Sequence, residues 1–388
     1  MGGMTTPLPW CRIERHAMLP APGHDMRTRL DVVAHLNRFL ATNVLPAVSR
    51  DWEQEACPAF KAANGREPAS LKEARDLMEN RSSHLGWGLL RRTVMEYRQQ
   101  VGRQLALSEA VALRDRAQRL NRGRETLKLN PALPIPRHVS AVDTHLMPGG
   151  YAAEYQSDDV TNPASYDAGL FATVGGGAGP LNDAAGRALV GWMRGAVPEF
   201  RPHMVVDLAC GLGHNTLPLR QAFPEARIVA LDVAAPFLRY GHARAVSLGV
   251  EDVEFWQEDA TATSLPDGCA DLVFTTMVLH ETSAKVLPAI LRECHRLLMP
   301  GGITIHLEQP PYRQFAPLQQ FLRDWDGRHN NEPYWTALHQ TNLPQLLEEA
   351  GFEPGSTFET TCRAGSITLG QPEDPGRAPV WYAVGARK

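Results

Sequence analysis

The chain has 388 residues, and at about 150 residues per domain this length indicates two domains or one elaborated domain. Hydrophobic residues make up 43% and charged residues 21% of the chain, a composition that excludes a disordered chain and a fibre. The net charge of −4 provides no overall positive field for nucleic acid or an anionic membrane, so both partners are disfavoured. Apolar runs are much shorter than the roughly 20 residues of a membrane helix, and no signal peptide opens the chain. We therefore expect a cytoplasmic protein with no membrane contact.

The first 140 residues predict an α-helical domain. Apolar residues recur at helical spacing from Leu30 to Val44, and Pro46 is expected to end that helix. Three prolines between residues 130 and 137 favour an extended connector, which places a domain boundary near 130–140. The helical domain, residues 1–140, would serve as a substrate cap or as a dimerisation surface, so a homodimer through this domain is one open alternative.

From about residue 180 onward, strands alternate with helices, which indicates a mostly parallel sheet covered on both faces. The predicted strands are His203–Leu208, Arg227–Asp232, Val253–Gln257, Asp271–Thr276, Gly302–Glu308, Ser356–Cys362 and Val380–Ala386. The predicted helices between them are 215–223, 235–248, 284–298 and 343–350. The last two strands follow each other without a helix, so they should pair antiparallel.

The predicted fold class is therefore α/β. It is a doubly wound, seven-stranded, mostly parallel sheet with an antiparallel last strand, preceded by the α-helical N-terminal domain. Residues 141–180 form a connector or lid, and residues 181–388 form the sheet domain, with an insertion at 310–342.

A glycine-rich turn follows the first strand of this sheet. The segment Val205–Thr216 consists of a buried strand, a turn with Gly211 and Gly213, and the start of a helix, which is a pattern that lets the backbone approach a ligand. Asp232 ends the next strand, where its carboxylate can accept hydrogen bonds from ribose hydroxyls. This combination predicts a nucleoside-containing cofactor. The third position of the dinucleotide-binding pattern is Thr216 instead of Gly or Ala, which counts against NAD.

Five segments in order resemble the motifs of the class I S-adenosylmethionine-dependent methyltransferases. They are Asp207–Gly213, Asp232, Glu258–Ala260, Asp271–His280 and Leu298–Gly302. The resemblance covers roughly residues 180–388, and it departs from the family at Ala209, where the family usually has a glycine. It implies that the cofactor is S-adenosyl-L-methionine and that the protein is a methyltransferase.

The resemblance also implies which residues hold the cofactor. Gly211 and Gly213 would lie in close contact with it, Asp232 would bind the ribose, and Asp207 would orient the turn and the amino-acid portion. The adenine edge would meet Asp259 and Ala260. The expected cofactor site is completed by Ala209, Val233 and Met277.

Three residues just beyond strand ends are candidates for catalysis, because ligands of open α/β sheets lie outside the carboxyl ends of the strands. His280 could take a proton from an acceptor hydroxyl or amine, and Glu281 or Glu308 could orient it or bind a cationic substrate. A histidine at a strand end is also often a structural group, and this alternative stays open. The six cysteines are far apart in the sequence, and no spacing of ligands predicts a metal site.

Two further segments contain candidates for binding the acceptor. The insertion is rich in polar and aromatic groups that suit a lid over a small polar ligand, although such residues also form ordinary turns. Its candidates are Asp324, Asp326, His329, Asn330, Asn331, Tyr334 and Trp335. Members of the resembled family commonly close a segment before the first motif over the cofactor, and the candidates there are Tyr151, Tyr155 and Tyr166.

The sequence thus predicts methyl transfer to an O, N or C atom of a small polar metabolite, held between the sheet and the helical domain. Polar lid residues and carboxylates favour an amine-bearing or otherwise polar acceptor, in specialised metabolism. Three alternatives stay open. They are an RNA methyltransferase that uses the arginine-rich helices, an enzyme that uses the cofactor for another outcome such as cyclisation, and a catalytically silent cofactor-binding partner.

Overall fold

The computed structural model describes residues 12–363 and 380–388, and its centre is an eight-stranded sheet. The strands are β1 (Leu127–Lys128), β2 (Met204–Leu208), β3 (Arg227–Asp232), β4 (Glu254–Gln257), β5 (Ala270–Thr276), β6 (Leu298–Glu308), β7 (Thr357–Arg363) and β8 (Val380–Arg387). Their spatial order is β1-β4-β3-β2-β5-β6-β8-β7. Strand β8 runs antiparallel to both of its neighbours, and the other pairs are parallel. The predicted fold class is confirmed.

Fifteen α-helices surround this sheet in the described part of the chain. They are α1 (His24–Phe39), α2 (Leu45–Asp51), α3 (Cys57–Asn64), α4 (Leu71–Met78), α5 (Ser82–Ser108), α6 (Ala110–Asn121), α7 (Arg137–Ser140), α8 (Thr161–Thr173), α9 (Ala184–Ala196), α10 (Thr216–Ala222), α11 (Ala235–Ser247), α12 (Leu287–Leu297), α13 (Pro317–His329), α14 (Trp335–Gln340) and α15 (Leu343–Glu349). None of the described helices is long and apolar enough to cross a membrane.

Both faces of the sheet are buried under helices, because the strands are apolar on both sides. Helices α9, α10 and α11 contribute to the hydrophobic core on one face. Helices α12 and α15 contribute to the core on the other face. All five residues of β2 are buried, as expected for a central parallel strand. This arrangement brings the carboxyl ends of β2, β3, β5 and β6 to one edge of the sheet, where the candidate site lies.

The strand β1 was not predicted from the sequence. Its two residues pair in parallel with β4 at the edge of the sheet, so the chain joins the sheet before it reaches the proline-rich connector. Two residues are too few to show an alternating or apolar pattern, which explains why the sequence predicted only seven strands.

The prediction that Pro46 ends the first helix was wrong. The chain stays helical because a π-helical turn, Leu40–Val44, connects α1 to α2. The amide of Leu45 donates to the carbonyl of Leu40, five residues earlier, and Pro46 then falls in the first turn of α2. A proline is tolerated there because its missing amide would have no partner inside the helix.

The N-terminal helices also pack against the insertion. One hydrophobic cluster joins Trp87 on α5 and Met78 on α4 to Phe321 and Trp325 on α13. A methyl group at Gly88 would lie 2.9 Å from Nε1 of Trp325, so the glycine permits this close approach. The domain boundaries expected from the sequence stay predictions, and their segments 1–11 and 364–379 lie outside the described residues.

Candidate functional site

The loop that follows β2 adopts the tight conformation expected of a ligand-binding turn. Ala209, Gly211 and Gly213 all have positive φ angles, of 57°, 57° and 73°. Glycine adopts this region freely, whereas an alanine pays a penalty of about 1 kcal/mol. The amide of Gly211 donates to Oδ2 of Asp232 at 2.8 Å, so the carboxylate at the end of β3 holds the loop in place.

Two aspartates support this loop in different ways. Asp207 is 1% exposed, and its Oδ2 accepts the hydroxyl of Thr216 at 2.5 Å. Burial raises the pKa of Asp207 to about 7 against the opposing effect of that hydrogen bond. Burial also raises the pKa of Asp232 to about 6, although backbone amides donate to it. Asp207 therefore braces the loop from behind, and Asp232 is the carboxylate that faces the ligand space.

A cavity of about 900 Å³ opens beside the loop at the carboxyl edge of the sheet. The predicted cofactor residues on its wall are Ala209, Gly211, Asp232, Val233, Asp259, Ala260 and Met277. A methyl group at Gly211 would meet no atom within 4 Å, so it would point into open ligand space. Gly213 instead faces the ring of Phe255, 2.9 Å from where its methyl group would stand, and it serves the packing of the turn.

A chain of alternating carboxylates and imidazoles lies across the cavity from the loop. We call Glu332, His145, Glu281, His280 and Glu308 the relay, in this spatial order. Nδ1 of His145 contacts Glu332, and its Nε2 lies 3.2 Å from Oε1 of Glu281. Nε2 of His280 lies 3.6 Å from the same oxygen, and its Nδ1 lies 2.5 Å from Oε1 of Glu308. The hydroxyl of Tyr151 also donates to Oε1 of Glu281, at 3.1 Å.

The carboxylates of the relay keep both imidazoles protonated. Burial by itself would lower the pKa of His145, but Glu332 and Glu281 outweigh it and raise that pKa to about 10. Burial opposes protonation of His280 too, and Glu308 and Glu281 raise its pKa to about 10. In turn, despite its burial, Glu281 has a pKa held well below its usual value by the two histidines. At neutral pH the centre of the relay is a carboxylate between two imidazolium groups.

Comparison with known proteins agrees with this geometry. Residues 205–302 match the family model described as a methyltransferase domain, and this range spans the glycine-rich loop, β3, β4, β5 and the relay residues His280 and Glu281. The chain contains a class I methyltransferase domain. S-adenosylmethionine is the cofactor of this family, and the loop, Asp232 and the open space at Gly211 fit it, so the predicted cofactor is confirmed.

Three curated relatives match parts of the chain. A demethylmenaquinone methyltransferase of Thermus thermophilus is 37% identical over 123 residues, 31% of this chain and 54% of the relative. An uncharacterized methyltransferase of Synechocystis is 34% identical over 151 residues, 38% of this chain and 66% of the relative. A malonyl-[acyl-carrier protein] O-methyltransferase of Methylococcus capsulatus is 34% identical over 189 residues, 49% of this chain and 65% of the relative. The chain thus spans less than two thirds of each relative's length.

The methyltransferase cavity brings together only part of the acceptor residues predicted from the sequence. Those on its wall are Tyr151, Tyr166, Asp326, Asn330 and Trp335, together with His280, Glu281 and Glu308. The ring of Trp335 lies edge to face with His280, with centroids 4.9 Å apart. These aromatic and polar groups enclose the acceptor side of the cavity.

The other predicted acceptor residues lie elsewhere. Asp324 points away from the cavity, since it accepts hydrogen bonds from Arg75 at 2.6 Å and from Arg328 at 3.0 Å. Tyr155 is 47% exposed, and the side chain of Asn331 donates to the carbonyl of Asp143. His329 and Tyr334 do not line the cavity either. The four residues of the insertion lie outside the cavity wall because alternate faces of α13 and of the following turn point to opposite sides, whereas Tyr155 lies in the exposed segment before α8.

The role of proton acceptor that the sequence predicted for His280 conflicts with its surroundings. A general base must be unprotonated before it can act, and an imidazole with a pKa of about 10 carries its proton at neutral pH. Its Nδ1 is also committed to Glu308. The base role of His280 stays a prediction, and the contacts with Glu308 and Glu281 also suit a cationic partner that positions Glu281.

The sequence did not single out His145 and Arg98, which line the cavity, or Glu332, which contacts His145. His145 has a left-handed backbone, with φ of 56°, and its carbonyl accepts a hydrogen bond from Gln99 at 2.6 Å. A strained backbone at a half-buried histidine that pairs with two carboxylates is typical of a functional site. In the sequence this histidine is a lone residue in the connector, with no motif around it.

The side chains of His145, Glu281 and Glu332 also offer ligand atoms within 4.8 Å of one another, as a metal site would. However, the two carboxylates contact different nitrogens of the imidazole, Nδ1 and Nε2, which face opposite edges of the ring. A single ion could not use both contacts. The arrangement is therefore better suited to sharing protons along the relay than to chelating a metal.

Proposed function

We propose that this protein transfers the methyl group of S-adenosylmethionine to an amine nitrogen of a small polar metabolite. The observation that carries the proposal is that the cofactor loop and Glu281 line one cavity, with the carboxylate facing the ligand space. A methyl donor at the loop and an acceptor at Glu281 would therefore share one cavity.

Glu281 can stabilise the charge that the reaction moves. When bound, S-adenosylmethionine supplies an activated methyl group on a positively charged sulfonium. As the acceptor nitrogen becomes cationic, the Glu281 carboxylate on the cavity wall would offset the new charge. Oε1 receives the contacts from Tyr151, His145 and His280. No hydrogen bond to Oε2 occurs within the described residues, which leaves this atom for the acceptor.

An amine is favoured over a hydroxyl because the relay offers no strong base. A hydroxyl must lose its proton to become a good nucleophile, whereas a neutral amine already has a lone pair. Both imidazoles of the relay are protonated at neutral pH, and Glu281 has a depressed pKa. These groups hold and orient the Glu281 carboxylate, and Tyr151 and Trp335 enclose the acceptor against water.

The proposal is tested with purified protein and cofactor that carries a labelled methyl group. A panel of amines, with hydroxyl and carboxylate compounds of matched size, is incubated with the protein and analysed by mass spectrometry. Labelled methylamine products together with S-adenosylhomocysteine would support the proposal. Products methylated only on oxygen, labelled RNA, or methylthioadenosine would contradict it and identify the alternative chemistry.

The role of Glu281 has its own test once an acceptor is found. Glu281→Gln should lower the single-turnover rate by about 100-fold, since it removes a buried charge aimed at the transition state. Glu293→Gln is the matched control, because Glu293 is a buried carboxylate that pairs with Arg296 on α12 and does not line the cavity. A charge-stabilising role also predicts that the single-turnover rates of the wild type and of the Glu281→Gln variant depend on pH in the same way. A pH limb that disappears in the Glu281 variant would instead assign Glu281 as a general base.

A further inference from the structure

Of the three arginines on the cavity wall, Arg91 has a carboxylate partner, Arg323 contacts Gln309 and the ring of Phe315, and Arg98 is the buried one without a carboxylate. On helix α5, Arg91 pairs with Asp326 at 2.6 Å and Arg92 pairs with Glu96 at 2.6 Å. Arg98, on the same helix, is 6% exposed and lines the cavity. Within the part of the chain that the structure describes, its guanidinium makes no ion pair, and its Nε is buried with no hydrogen-bond partner.

Helix α8 fixes the position of this guanidinium. A methyl group at Gly169 would lie 2.9 Å from Nε of Arg98, so the glycine leaves room for the side chain to cross the helix surface. Tyr166, on the same helix, also lies on the cavity wall, where the charges of Arg98 and Glu281 both affect its pKa. Burial, and to a smaller extent the charge of Glu281, raise the pKa of Tyr166 to about 12. The charge of Arg98 opposes this rise.

The aromatic contacts continue this row toward the relay. The ring of Tyr166 lies 6.0 Å from that of Tyr151 and 6.4 Å from that of His145. Tyr151 and His145 both contact Glu281 directly. The cavity therefore has a guanidinium at one end of this row and a carboxylate at the other.

A buried arginine keeps its charge, because its guanidinium does not lose a proton in proteins. Burying a charge without a partner carries a penalty of several kcal/mol, so such a group usually meets its counter-ion from another source. The open side of Arg98 faces the cavity, where only a ligand can supply that counter-ion.

We propose that Arg98 binds a carboxylate of the methyl acceptor, so that the acceptor is an amino acid or a similar amino carboxylate. Its amine lies at Glu281 in the neutral form, and the lone pair attacks the methyl group as the bond from carbon to sulfur breaks. The planar fork of a guanidinium matches the two oxygens of a carboxylate. A singly charged carboxylate also balances one guanidinium, whereas a phosphate dianion would leave negative charge uncompensated. The amine half of this inference rests on the proposed function, and the carboxylate half rests on Arg98 alone.

The carboxylate half is tested by calorimetric binding to the full-length protein saturated with S-adenosylhomocysteine. The probes are three carboxylates, acetate, succinate and benzoate, and their neutral amides, acetamide, succinamide and benzamide. At least one carboxylate should bind about tenfold or more tightly than its amide, because the amide leaves the guanidinium unpaired. Equal affinities within all three pairs would overturn the inference.

Variants test whether Arg98 causes the preference for a carboxylate over its amide. Arg98→Met should abolish the preference for the carboxylate, and Gly169→Ala should weaken it without removing the charge, because the added methyl group displaces the guanidinium. Arg103→Met is the matched control, since Arg103 lies on the same helix and does not line the cavity. A preference that survives Arg98→Met, or that Arg103→Met removes equally, would refute the assignment. Unchanged affinity for S-adenosylhomocysteine verifies that each variant is folded.

These results separate the two proposals. If carboxylate binding depends on Arg98 but no amine is methylated, the proposed function fails and the anion site stands. If amines are methylated without any preference for those that carry a carboxylate, the anion site fails and the proposed function stands.

Discussion

Replacing His145 should change how the free energy of unfolding depends on pH. His145 has a pKa of about 10 in the folded protein because Glu332 and Glu281 outweigh the effect of burial. In an unfolded chain, the pKa of a histidine is about 6.5. Below pH 6.5 both states are protonated, and the stabilising contribution of the ion pairs is fully present. As the pH rises toward 10, the unfolded chain loses its proton first, so the contribution is progressively lost.

The size of this loss follows from the shift in pKa. A rise of about 3.5 units, at 1.36 kcal/mol per unit, corresponds to about 5 kcal/mol between pH 6.5 and pH 10. His280 shares Glu281 with His145, so their two contributions are not additive. The His145→Gln variant lacks this titration. The difference in the free energy of unfolding between wild type and variant should therefore be largest near pH 6 and shrink by up to about 5 kcal/mol toward pH 10.

The assay is urea unfolding of both proteins, followed by circular dichroism at several values between pH 6 and pH 10. The His339→Gln variant is the matched control. His339 is also buried, but burial lowers its pKa to about 4, so it is neutral throughout this range. Since a histidine of the unfolded chain titrates near pH 6.5, the stability difference between wild type and this variant should rise by about 0.8 kcal/mol from pH 6 to about pH 7.5, opposite in direction to His145, and should be constant above that. A His145→Gln difference that does not shrink toward pH 10 would refute the view that His145 is held as a cation.

Two further substitutions probe the supports of the site. Gly186→Ala would place a methyl group 2.5 Å from the carbonyl oxygen of Asn215 in the cofactor loop. Urea unfolding should therefore show a loss of about 1–3 kcal/mol in the free energy of unfolding, and calorimetry should show weaker binding of S-adenosylhomocysteine. Asp324→Asn should destabilise the protein by about 3 kcal/mol in urea unfolding, because it removes the buried carboxylate charge that pairs with Arg75 and Arg328. By contrast, Asp76→Asn in an exposed pair should change stability by less than about 0.5 kcal/mol.

Most strands of the sheet could be predicted from the sequence because each one forms a local pattern of residues. Buried strands such as β2 are short apolar runs, and turns with glycines separate them from helices. The strand β1 and the continuous helix past Pro46 could not be predicted in this way. The two residues of β1 gain their structure only from pairing with β4, and the π-helical turn before Pro46 is an adjustment that no propensity encodes.

The residues of the candidate site also fall into those that local sequence patterns predict and those that they do not. The residues of the cofactor side are predictable because they follow strands directly and belong to contiguous motifs. Arg98 and His145 come from the helical region and the connector, and only tertiary packing brings them to the cavity. Even within α13, the sequence could not tell Asp326, which lines the cavity, from Asp324, which binds Arg75 behind it.

The central claim is that the loop after β2 and Asp232 bind S-adenosylmethionine. It is tested most directly by calorimetric titration of protein freed of retained cofactor with S-adenosylhomocysteine, beside NAD and an Asp232→Ala variant. Our account predicts micromolar binding of S-adenosylhomocysteine by the wild type, binding at least tenfold weaker in the variant, and none of NAD, since Asp232 holds Gly211 and is expected to bind the ribose. Binding of NAD without binding of S-adenosylhomocysteine, or equal affinity in the variant, would contradict it.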